Sequence, residues 1–287
     1  MTTATTAPAA PARAVRDQPR ARFTDLLAAE WLRMWSLRST PWLYVLSALA
    51  VVGFNAGTAY DHYKYWYQYD RASQKFFVEH RLALMDAFTD NAALVLVLAL
   101  AAIGAVSVTG EYGTGLIRTT FTAVPARRSV LAAKVLVLAA VTTGFGVFVA
   151  AASFASTRAI LSGRGAAVSL GDPGVLQVLT ASALLAPVAA LAGLAIGAVI
   201  RHTGGSIVAC VVVLLLLPMI LSDRRHPTAV LRHTLPFSAW DRLRDVAVPQ
   251  PPSELFPWSE AGAWTVYALW ALAAGAVAVY AVHRRDQ

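Results

Sequence analysis

The sequence predicts an all-α, polytopic membrane protein, with six transmembrane helices behind an N-terminal amphipathic interfacial helix. Three observations carry that reading. Of 287 residues, 57% are hydrophobic and 14% charged, and the mean hydropathy is +0.55. A soluble domain of this size has more charge and interrupts its apolar runs with polar faces. Six apolar runs, at residues 42–60, 92–109, 135–157, 175–200, 206–221 and 261–282, approach or exceed the roughly 20 residues that cross a hydrocarbon core. The fifth is short and needs its flanks. None of the six contains Asp, Glu, Lys, Arg or His.

Residues 1–22 are rich in Ala, Thr, Pro and Arg and lack the apolar core of a signal peptide, so they read as a disordered basic tail. Residues 23–287 read as one transmembrane domain. Its first element, residues 23–39, is a helix on the membrane surface. At 100° per residue Phe23, Leu26, Leu27, Trp31, Met34, Trp35 and Leu37 share a broad face. Trp31, Trp35 and Arg38 suit the headgroup layer. Glu30 interrupts the apolar face, either as a local partner of Arg33 at i,i+3 or as a contact with another cytoplasmic group or a partner protein.

Pro41 opens the first span, where a missing N–H costs nothing. Asn55 within it is expected to bond a neighbouring helix. Residues 61–91 form a loop that begins with a crowd of tyrosines. They read as an interfacial aromatic belt, or alternatively as a stacking platform beside His62 and His80. Gly193 and Gly197 in the fourth span have the spacing that lets helix backbones approach closely. Residues 201–205 read as a tight turn. In the 39-residue connection before the last span, the piece 229–244, with Pro236, Phe237 and Trp240, is expected to dip back into the membrane's outer face. Irregular backbone at that depth must be covered by protein or water.

The most informative stretch lies between the second and third spans. It reads Gly110-Glu111-Tyr112-Gly113-Thr114-Gly115-Leu116-Ile117-Arg118-Thr119-Thr120-Phe121, then Pro125-Ala126-Arg127-Arg128. Its glycines are expected to let the chain turn sharply out of the span. Glu111 and Arg118 offer charges to a partner, or pair with each other. Leu116, Ile117 and Phe121 offer apolar anchors for a groove. Arg127 and Arg128 hold the third span at the headgroups, and Lys134 is expected to snorkel to the interface.

Six spans put both termini on one side. That side holds 13 Lys and Arg residues against 11 on the other, and its loops are net basic while the opposite loops are neutral. The positive-inside rule places the termini and the polar stretch in the cytoplasm. Anionic headgroups account for the net charge of +8 more simply than nucleic acid does. Arginine outnumbers lysine 21 to 3, as in GC-rich bacterial coding sequences. The single cysteine, Cys210, excludes an intrachain disulfide and any cysteine-built metal site. No P-loop, Gly-x-Ser-x-Gly or His-Glu-x-x-His pattern occurs, so the chain binds no ATP through a P-loop of its own.

The run Glu111–Thr120, followed by Pro125-Ala126-Arg127-Arg128 and Ala132-Ala133-Lys134, resembles the signature of permeases of the bacterial type 2 ABC exporter superfamily. Ala29-Glu30-Trp31 and Leu37-Arg38-Ser39-Thr40 resemble it too, and with the six spans the resemblance covers nearly the whole chain. It implies two permease chains, identical or related, that form a path through the cell membrane. Separate ATP-binding subunits, holding ATP and Mg, dock on the cytoplasmic side. Glu30, Glu111, Tyr112, Gly113, Gly115, Leu116, Ile117, Arg118, Thr119 and Thr120 would couple to them, and the fifth loop would form an outer gate. No catalytic residue, cofactor or metal is implied for this chain. Uncharged spans suit ATP-driven export, because ion-driven carriers use carboxylates at mid-membrane. An apolar path favours a lipid-like, peptidic or hydrophobic drug substrate. Two rival readings stand beside this one. The first is a permease-like sensor that signals instead of moving cargo. The second is a membrane enzyme acting on lipids with Asp61, His62 or His80.

Overall fold

The computed structural model describes residues 22–36, 38–116, 120, 126–222, 224–245 and 256–285, with side chains as far as Tyr280. Residues 1–21 of the proposed tail 1–22 lie outside them. The described residues form helices joined by short turns, and six helices are long and apolar enough to cross a membrane. In chain order the elements are α1 (Phe23–Ser36), α2 (Ser39–Tyr65), α3 (Arg71–Glu79), α4 (Ala83–Ala87), α5 (Asp90–Gly113), α6 (Arg127–Ser162) and α7 (Val175–Ile200). After these come α8 (Thr203–Ile220), α9 (His226–His233), α10 (Pro236–Arg244) and α11 (Glu260–Arg285).

The hub is α7. Its run of Ala and Gly leaves little side chain to hold neighbours away, and α5, α6 and α11 close around it. A Cβ on Gly193 would sit 1.9 Å from the Ala101 carbonyl oxygen, and one on Gly104 would sit 1.9 Å from that of Ala190. On α6, a Cβ at Gly146 would lie 2.0 Å from the Ala183 oxygen. The Gly193–Gly197 spacing therefore serves packing within the chain, with α5 against it. By contrast α2, α8 and α11 keep most of their apolar surface outward, where lipid or another chain would cover it.

Asn55 shows how a polar group is held inside the bundle, where no water is at hand, although the buried Tyr44 and Thr157 hydroxyls have no hydrogen-bond partner among the described residues. Asn55 donates to Ser153 Oγ on α6 at 3.0 Å and accepts from both the backbone N–H and the hydroxyl of Thr89. Thr89 in turn caps α5 by accepting from the Ala92 N–H. One asparagine thus ties α2 to α6 and to the start of α5.

Two connections differ from expectation. Residues 61–91 are mostly helix: α2 runs on to Tyr65, and α3 and α4 follow. His62 Nδ1 lies 2.7 Å from Asp86 Oδ2, and its ring meets Phe77 edge-on, so it joins α2 to α4. His80 stacks instead on Phe76 at 4.0 Å. The two histidines do not converge, and the described residues contain no metal-competent cluster. The turn expected at 201–205 shrinks to Arg201 and His202, because Arg201 takes φ +60° and His202 Nδ1 accepts from the Gly205 N–H to cap α8. That lengthens the short fifth span to Thr203–Ile220. A π-helical stretch at Val211–Leu216 precedes Pro218; the wider turn relieves the clash a proline makes with the carbonyl four residues back.

On the face away from α1, α10 folds back onto the bundle. Trp240 is fully buried, and its Nε1 donates to Ser182 Oγ, about two turns into α7. Arg244 fixes the far end. It donates to the Phe88 carbonyl at 2.9 Å, pairs with Asp90 at 2.5 Å and with Asp241 at 2.9 Å, and lies over the Trp240 ring.

Candidate functional site

On the α1 side a buried charge cluster joins three helices. It begins with an apolar contact: Leu26 and Leu27 of α1 pack with Val130 and Ala133 of α6. One turn beyond Leu26 comes Glu30, and one turn beyond Val130 comes Lys134. The i,i+4 spacing carries each charge onto the stripe its apolar neighbour occupies, so the two helices, once packed, present Glu30 to Lys134. From the other side α5 delivers Glu111 near its C-terminal end.

Lys134 Nζ lies 2.6 Å from Glu30 Oε2 and 2.6 Å from Glu111 Oε1, and it also reaches the Ser107 carbonyl at 3.4 Å. Arg33 Nη1 donates to Glu30 Oε1 at 2.7 Å and to Glu111 Oε1 at 3.0 Å, while Nη2 reaches Thr120 Oγ1 at 3.3 Å. Glu30, Glu111 and Lys134 are each less than 10% exposed. Two acids and two bases leave the cluster neutral. In a medium of low dielectric these pairs attract more strongly than in water, and a missing member is correspondingly costly.

Several expectations are corrected. Lys134 does not snorkel outward; it is as deeply buried as Glu30. Glu111 and Glu30 are not handles on the surface, because both carboxylates are buried against partners of this chain. Glu30 pairs with Arg33 as the local reading has it, and also with the distant Lys134. Of the three glycines, Gly110 and Gly113 are helical, and only Gly115 turns the chain, at φ +70°. There the left-handed backbone favours a residue without Cβ.

The other named residues fall as follows. Tyr112 is half-buried with the Arg201 guanidinium 4.8 Å over its ring, which links the end of α5 to the α7–α8 turn. Leu116 is exposed. Thr120 bonds back to the Leu116 carbonyl and receives Arg33. Ile117, Arg118, Thr119 and Phe121 lie outside the described residues, and with them the suggested Glu111–Arg118 pair. Trp31, Trp35, Arg38 and Arg128 are exposed and Arg127 is half-buried, with Trp31 edge-on to Trp35 at 5.9 Å. Sequence reasoning missed the joint role of Arg33 and Lys134. A signal was present in the matched spacing of Leu26–Glu30 and Val130–Lys134.

A protein-family model described as "ABC-2 family transporter protein" matches residues 34–280. A search of curated proteins finds no match.

Proposed function

This chain belongs to the ABC-2 family of transporter permeases, and on that footing we propose that it is the membrane-spanning half of an ATP-driven exporter whose motor docks on the α1 side. The permease works as a pair, with itself or with a relative. Its termini lie in the cytoplasm, where the denser basic residues favour them. Separate subunits bind ATP and Mg. The observation that carries the coupling role is the buried cluster of Glu30, Arg33, Glu111 and Lys134.

A surface helix alone would slide over the bundle when pushed. The cluster ties α1 to the ends of two spans, so displacement of α1 or of the segment after Gly113 is delivered to α5 and α6 together. Partner contacts then fall to exposed groups on the same face, such as Leu116 and the outward side of α1, while Glu30 and Glu111 act from inside as positioning residues. At the opposite end Arg244 pins α10 to the start of α5, which supports an outer gate moved by the same helix. The apolar lining of the spans favours a hydrophobic substrate.

The test is purification of the tagged chain from its native membranes in mild detergent, with ATPase activity assayed on the eluate. A P-loop subunit and its activity are expected to co-purify, and a Glu30→Lys/Glu111→Lys variant is expected to lose them. A chain recovered without ATPase, in conditions that keep other membrane complexes intact, would contradict the proposal.

A further inference from the structure

We propose that the cavity beside the charge cluster is a specific phospholipid site, taking an anionic headgroup at Arg33 and an acyl chain between α2, α5 and α6. The cavity measures about 310 Å³, within the rough 300–1,000 Å³ range of ligand pockets. Its lining is graded. The four cluster charges with Ser36, Ser39 and Thr40 form one end, near the α1–α2 junction; Leu43, Ile103, Val106, Val137 and Leu138 form the other. Ile103 lies eight residues before Glu111 on α5, so the apolar end reaches about 12 Å deeper than the cluster.

The charges decide which headgroup fits. Both carboxylates already have cationic partners, and the Lys134 ammonium is enclosed by three acceptors. Arg33 differs: its side chain is 27% exposed and borders the cavity. A guanidinium presents five donors in a planar fork that matches a phosphate. Ser36 already donates to the Arg33 carbonyl, but the Ser39 and Thr40 hydroxyls at the same end can donate to further phosphate oxygens. The Glu30 and Glu111 side chains are only 6% and 10% exposed, so the charge most open to the cavity is the cation.

Depth decides the source. Trp31, Trp35 and Trp42 are exposed around the α1–α2 junction, the pattern of an interfacial belt. The polar end therefore lies at headgroup level and the apolar end among the acyl chains. A membrane phospholipid spans that gradient, whereas free phosphate occupies only the polar end. The site goes beyond the proposed coupling to an ATP-binding subunit and does not depend on it.

Native mass spectrometry of the delipidated full chain, titrated with phosphatidylglycerol, phosphatidylcholine or inorganic phosphate, tests the assignment. One phosphatidylglycerol should be retained per chain, about tenfold more tightly than phosphatidylcholine, and inorganic phosphate should not be retained. Val106→Trp fills the apolar end without touching the four charges. It should weaken phosphatidylglycerol retention about tenfold while the lipid-free melting temperature stays unchanged. Leu43→Trp, at a half-exposed position, should act alike if Val106→Trp fails to fold. Equal retention of the two lipids would overturn the site as ordinary boundary lipid. Retention untouched by either variant that folds would also overturn it, as would inorganic phosphate binding as tightly as the lipid.

Discussion

Lys134→Met will lower the melting temperature of the detergent-solubilised chain by on the order of ten degrees, the largest loss expected from any single charge removal. Methionine fills a similar volume, so packing is largely kept. What changes is the charge. Glu30 and Glu111 stay buried with only Arg33 between them, and Glu111 loses the closer of its two cations. Removing one partner of a buried pair costs about 3–5 kcal/mol, and a chain of this size loses roughly 2–4 °C per kcal/mol. Adding Glu111→Gln to Lys134→Met leaves the neutral Glu30–Arg33 pair and should recover much of the loss. A double variant no more stable than the single one would show that lost packing, and not unbalanced charge, is responsible.

The second large effect comes from one methyl group. Gly146→Ala and Gly193→Ala each drive a Cβ into a backbone carbonyl, at 2.0 and 1.9 Å. Backbone cannot swing aside as a side chain can, so α6 or α5 must back away from α7. Overpacking costs about 1–3 kcal/mol, and the upper end is expected here because the contact is backbone on backbone at the hub. The matched control is Gly144→Ala, two residues away on α6 with nothing within 4 Å of its new Cβ. It should be neutral or slightly stabilising, since alanine is the better helix former by about 1 kcal/mol. Thermal melts of the three variants side by side provide the check. Equal losses at Gly144 and Gly146 would refute the close-approach argument.

The spans were legible because hydropathy reports the solvent a segment needs, and lipid is a demanding one. Their ends were not. At 36 residues α6 is about 54 Å long, well beyond a hydrocarbon core of about 30 Å. The excess lies where charged residues are welcome and hydropathy falls silent. For the same reason α3 and α4 passed as loop.

The candidate site divides similarly. Glu30 and Glu111 drew attention because each stands out in its neighbourhood, and the Glu30–Arg33 pair could be read from i,i+3 spacing. Lys134 meets Glu30 across 104 positions and Glu111 across 23. No local periodicity records such a meeting; it follows only once Leu26 is packed against Val130. Seen alone, a lysine at the start of a span looks like one that snorkels. The family match to residues 34–280 settles what kind of membrane protein this is, and the cluster supplies a physical reason why the stretch around Glu111 should matter to it.

The most direct test of the central claim, that the cluster makes α1 and α6 one body, is a distance measured through the ATP cycle. Spin labels at Ala29 and Leu136, both exposed, in a Cys210→Ala background would report it on the complex with the proposed ATP-binding subunit. The account predicts one narrow distance that holds with and without nucleotide. It also predicts that the distribution broadens and responds to nucleotide in the cluster-free variant Glu30→Gln/Arg33→Gln/Glu111→Gln/Lys134→Met. A wild-type distance that changes with nucleotide by about one helical turn, 5.4 Å, would contradict it, as would a cluster-free variant that holds the wild-type distance.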